Sequence, residues 1–316
     1  MPLRRQTTRW AGLIGGTVLT AVCALSVHAA AVQLFHLPGM DEYPTGGPLV
    51  FLTQACMVAA AIVLWQLVTP SITGLPIRSR CPLLFVLLAM LFQRLIRLPL
   101  MDAVVTTAWS FSFLANLPAL APFLVVACLV VWVTPVLSRP WQMLVAGVVI
   151  AALAFPLCGS LATSLFQPVL ASAAGLDHEP VYNMPYGLNV LVPAYVTALE
   201  PATATVALAA LVWDRLRGTT AARIACFAVL VMILDLHLFQ PLVVLATDGP
   251  NLGADLAGVG QSWMATLVQT VLGAMTWAFS VRSPDAEAFL PARPGSDASY
   301  HSDRDIVQSR KHSLHN

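Results

Sequence analysis

Apolar residues in this chain run together in stretches about twenty long, parted by short segments that hold most of the charge. A hydrocarbon core about 30 Å thick is crossed by about 20 apolar residues of helix rising 1.5 Å each. Each stretch therefore predicts a membrane-spanning helix. Eight are expected, near 11–35, 48–69, 81–100, 117–137, 141–161, 188–213, 224–246 and 262–280. The expected fold is all-α, a polytopic helical membrane protein with a transmembrane bundle over 1–281. Past Ser280 the apolar pattern gives way to SPDAEAFLPARPGSDASYHSDRDIVQSRKHSLHN, rich in Ser, Pro and mixed charge. That composition predicts a disordered cytoplasmic tail over 282–316.

Composition agrees with the pattern. Hydrophobic residues make up 58% of the chain and charged ones 10%, against about 25% charged in an ordinary soluble domain. The charges also set an orientation, because basic residues near helix ends stay on the cytoplasmic side. With the N-terminus inside, the inner segments hold all but two of the 16 Lys and Arg, and the outer loops hold acids only: Asp41, Glu42, Asp102, Asp177, Glu179, Asp248 and Asp255. Trp10, Trp65, Trp132, Trp141, Trp213 and Trp277 fall near the expected inner interface, where amphipathic rings settle. Arginine outnumbers lysine heavily, Lys311 being the only lysine, which points to a bacterial inner membrane with both termini cytoplasmic. The basic start, apolar run and Ala29–Ala31 also fit a cleavable signal peptide, but the apolar run continues to Phe35, which favours a retained first helix. Six cysteines without a close pair predict no structural disulfide.

A parallel 4+4 repeat is also suggested. VAAAIVLW (58–65) and VALAALVW (206–213) match at four of eight positions, and FQRLIRLP (92–99) resembles LDLHLFQP (234–241) in turning polar before a proline. Parallel repeats of this kind occur in transporters.

The polar residues that interrupt the apolar runs are the candidate functional residues. Glu200 and Asp235 fall near mid-helix, where a charge costs roughly 2.5–3.5 kcal/mol and faces the bundle interior with a partner. The two basic residues left over, Arg94 and Arg97, are spaced i, i+3, on one face of the third helix. They are the expected compensating charges, Arg94 foremost. Thr197, Glu200 and Thr203 form a polar stripe in the sixth helix. Pro193 and Pro201 free the carbonyls of Asn189 and Thr197, an arrangement that lines cavities in membrane proteins. Asp235 and His237 stand about 200° apart on a continuous helix and so face opposite ways, His237 sharing its side with Gln240 and Pro241. His36, Met40, Met101, His178 and Met184 gather on the outer side without His-x-His or Met-x-Met spacing, so no metal is expected.

The chemistry classes narrow accordingly. Phosphate loops, zinc spacings, a nucleophile elbow and nucleic-acid-binding stripes do not occur in the sequence. No cofactor and no nucleic-acid partner are expected; the expected partners are the lipid bilayer, a small solute, and a membrane-protein partner or second copy of the chain. The first functional reading is a carrier of a small solute, with proton coupling, using Arg94, Arg97, Thr197, Thr203, Glu200, Asp235, His237 and Gln240. Two other readings stand beside it. One is a membrane-embedded enzyme acting on a lipid-linked or periplasmic molecule through Asp41, Glu42, Asp177, His178 and Glu179; the other is a non-catalytic assembly or sensory subunit.

Overall fold

The computed structural model describes residues 7–37, 47–105, 109–173, 175, 186–247 and 252–282. The acidic loop candidates Asp41, Glu42, Asp177, His178 and Glu179 lie outside these residues, as do 283–316 of the expected tail. The chain divides into two units. The smaller holds a two-residue antiparallel pair, β1 (Thr7–Thr8) with β2 (Val281–Arg282). The larger, Arg9–Ser280, is helical: α1 (Trp10–Gln33), α2 (Pro48–Val68), α3 (Ile77–Leu91), α4 (Arg97–Val105), α5 (Trp109–Val133), α6 (Pro140–Ala152), α7 (Ser160–Ser172), α8 (Leu188–Thr197), α9 (Leu199–Val212), α10 (Thr220–Leu234), α11 (Gln240–Thr247) and α12 (Leu252–Ser280). A π-helical turn, Leu153–Gly159, joins α6 to α7 around Pro156.

Among the described residues, five helical segments are long and apolar enough to cross a membrane: Trp10–Gln33, Pro48–Ser71, Ser110–Val136, Pro140–Ser172 and Leu188–Arg215. A sixth is reached if Thr220–Leu234 and His237–Ala246, bent by 85°, count as one span. The apolar helices fit a multi-pass membrane protein; two of the remaining expected spans do not stand as long, uninterrupted apolar helices, for physical reasons. The third expected span is cut at Leu91 into α3 and α4, each too short by itself. The last helix, α12, is long at 29 residues, but Gln261, Ser262, Thr266, Gln269 and Thr270 dilute its apolar character.

The core sits around α2 and α9, whose small side chains let neighbouring helices approach closely. Gly147 of α6 shows how closely: a Cβ there would stand 2.9 Å from the Ala55 carbonyl oxygen of α2. Along α6 and α7, Leu144, Val145, Val148, Val149, Leu161 and Leu165 are exposed. An apolar face of this kind suits contact with lipid.

Two breaks share one geometry. α3 and α10 are both 15 residues long, and their C-caps are Phe92 (φ −79°, ψ 7°) and Asp235 (φ −87°, ψ 13°). A left-handed residue follows each cap, Gln93 at φ 60° and Leu236 at φ 62°. The chain then restarts as the short helices α4 and α11, with Pro99 and Pro241 in their first turns, where a missing N–H costs no intrahelical bond. Of the two prolines expected to interrupt the sixth span, Pro201 likewise stands in the first turn of a helix, α9, whereas Pro193 lies inside α8. α3 packs on α9 and α5, and α10 packs on α2 and α12.

Candidate functional site

The first break leaves three consecutive main-chain donors without a helical partner. Phe92, Gln93 and Arg94 donate their N–H groups to Leu88, Met90 and Ala89, and Leu98 donates to Gln93. The donors between them go to one carboxylate. Glu200 Oε1 accepts the N–H of Leu95 at 3.0 Å, and Oε2 accepts those of Ile96, at 3.0 Å, and Arg97. A buried N–H without an acceptor costs about 1–3 kcal/mol, and the positive end of α4 favours an anion. Glu200, 5% exposed, therefore holds the restart of the broken helix.

Arg97, the first residue of α4, interacts electrostatically with Glu200. Its Nη1 donates to the Ala194 carbonyl at 2.8 Å and to Thr197 Oγ1 at 3.5 Å. Both acceptors lie on α8, so the guanidinium ties α4 to α8. The expected stripe is divided: Thr197 is buried, but Thr203 is exposed and lines an apolar groove with Trp10 and Leu13. Six residues carry Thr203 about 240° round the helix from Thr197, too far to share its face.

The second break corrects the expectation for Asp235 and His237. A continuous helix would separate them, but the chain turns at Leu236 and brings His237 Nδ1 to 3.0 Å from Asp235 Oδ2. Thr266 of α12 donates to the same carboxylate oxygen at 3.4 Å. Asp235 is 6% exposed. Gln240 opens α11, is half-buried, and is not among the side chains lining the cavity described next.

Arg94 does not serve either buried acid. It lies in the turn rather than on a helix face, so the i, i+3 relation with Arg97 is lost, and the charge acting on it is Asp102. Asp102 also accepts from Asn116 Nδ2 at 3.2 Å. Both acids are sheltered, as expected, but by main-chain N–H groups, a histidine and a threonine; the guanidinium of Arg97 stands beside Glu200.

Between the two breaks lies a cavity of about 210 Å³. Gln93 and Arg97 reach it from the first break and His237 from the second; His28 comes from α1, and Ser262, Thr266 and Gln269 from α12. His28 interacts with Arg97 and is hydrogen-bonded to Gln261. Gln269 Nε2 donates to Thr205 Oγ1 at 2.9 Å and to the Pro201 carbonyl at 3.4 Å, fastening α12 to α9. His28, Gln93 and the polar face of α12 were missed in the sequence. The signal for α12 was present: Ser262, Thr266 and Gln269 recur at i, i+4, i+7. His28 was obscured because its surroundings also read as a signal peptide.

Among the described residues, no group of three His, Cys, Asp or Glu is placed to hold a metal ion. No family model, no curated protein and no solved structure matches this chain.

Proposed function

We propose that this chain is a carrier for a small solute in a bacterial inner membrane, with both termini cytoplasmic and proton movement coupled to transport. One observation carries the reading: two helices broken by the same backbone geometry deliver Gln93, Arg97 and His237 to one polar cavity. Interrupted helices at corresponding places in two halves of a chain mark solute sites in transporters. The pairing of α3 with α9 and of α10 with α2 supports two parallel halves of four crossings each. On this reading α3 with α4, α10 with α11, and α12 complete eight crossings. Glu200 keeps the first break open, and the Asp235–His237 pair is the proton-handling group, since imidazole is the side chain suited to exchange near neutrality.

Flux through reconstituted protein tests this. Proteoliposomes under an imposed pH gradient should accumulate at least one member of a panel of small carboxylates, amino acids, polyols and amines above empty liposomes. Asp235→Asn should abolish that uptake while folded protein persists in the membrane. Uptake unchanged in Asp235→Asn, or no accumulation across the panel, contradicts the proposal.

A further inference from the structure

We infer that the cavity between the two breaks binds a small oxyanion, of the size of a carboxylate with two to five carbons. The inference deepens the carrier reading, on which it rests only in calling the anion a transported solute. Every ionisable side chain lining the cavity is basic: His28, Arg97 and His237. Neither buried acid is among the lining residues, and both carboxylate oxygens of Glu200 and Oδ2 of Asp235 are engaged by other groups. Glu200 faces the N–H groups of Leu95, Ile96 and Arg97, and Asp235 Oδ2 meets His237 and Thr266. The acids orient donors toward the cavity, and the solute meets those donors.

The geometry favours an oxyanion over a spherical one. Arg97 presents a planar fork suited to two oxygens at once, and its anchor on Ala194 and Thr197 fixes the plane of that fork. His237 Nδ1 stands 3.0 Å from the Asp235 carboxylate, which leaves Nε2 as the ring nitrogen for a solute, and it donates when the ring carries its second proton. Gln93, Ser262, Thr266 and Gln269 add neutral groups around the wall, able to recognise a hydroxyl or a second carbonyl. The volume limits the ligand. At about 30 Å³ for each water, the cavity takes about seven water-sized groups. That suits a short organic acid or an inorganic oxyanion held wholly within the cavity.

Binding is read without transport. Full-length protein in detergent is unfolded by heat in the presence of acetate, succinate, inorganic phosphate, choline or glycerol, each at millimolar concentration and constant ionic strength. At least one of the three anions should raise the unfolding midpoint by about 2–4 °C, and choline and glycerol should not. The anion that acts separates an organic acid from phosphate. Arg97→Lys, which keeps the charge and loses the fork, should reduce the shift at least by half. Ser262→Asp, which leaves Arg97 untouched and places a negative charge on the wall, should abolish it. A shift from choline or glycerol alone, or an anion shift that survives Ser262→Asp, overturns the inference. An anion shift without flux in proteoliposomes sinks the carrier reading and leaves the anion site standing.

Discussion

Glu200 does for Leu95, Ile96 and Arg97 what the previous turn of a helix would otherwise do: it accepts their N–H groups. This makes it a positioning residue, and its substitutions should be graded. Glu200→Ala strands three part-buried donors and should lower the unfolding free energy by about 2–3 kcal/mol. Glu200→Gln keeps one acceptor oxygen but turns an amide N–H toward a donor, so a smaller loss is expected. Denaturant titration of detergent-solubilised protein measures both; equal stability of Ala and wild type would mean that the donors have other partners. His237→Ala acts differently. It removes a neighbour from the buried carboxylate of Asp235, leaving Thr266, and should be rescued in stability by the second change Asp235→Asn, because the charge needing compensation is then gone. A double-mutant cycle with no coupling between the two positions would contradict the 3.0 Å contact.

At the scale of elements, the two breaks are held in a conformation that costs a residue with a Cβ roughly 1–2 kcal/mol. Gln93→Gly should therefore keep or raise the unfolding midpoint, and Gln93→Val, branched at Cβ, should lower stability by about 1–2 kcal/mol. The reverse order of the two variants would mean that residue 93 is not left-handed. Leu236 makes a poor site for the same test, since its side chain packs on the core and glycine would remove it. The sequence carried part of this geometry. Polar residues before Pro99 and Pro241 marked both places as unusual, and burial of Glu200 and Asp235 follows from the cost of charge in hydrocarbon. The breaks themselves were not legible, because Gln93 and Leu236 are not residues that announce a left-handed turn. A continuous helix was therefore assumed, and from it came the errors over the Asp235–His237 pair, the shared face of Arg94 and Arg97, and the partner of Arg94.

For the whole molecule, hydropathy marked most of the elements, and it failed where a span is cut or lined with polar groups, in α3, α4 and α12. Close packing should make the bundle intolerant of volume at α6. Gly147→Leu must displace the main chain at Ala55, and a cost of about 1–3 kcal/mol is expected, read as a lower yield of folded protein and a lower unfolding midpoint. Gly15 of α1, with nothing within 4 Å of an added Cβ, is the control, and Gly15→Ala should keep or raise stability, because alanine is the better helix former. The central claim is that the cavity between the breaks is the path of a solute, open to one side and then to the other. Ser262→Cys, placed on the cavity wall in a background without the native cysteines, tests this in right-side-out and inverted vesicles with a membrane-impermeant thiol reagent. Labelling should occur from both faces, and an imposed pH gradient should favour one face over the other. Labelling from one face alone under every gradient, or protection from both, would contradict it.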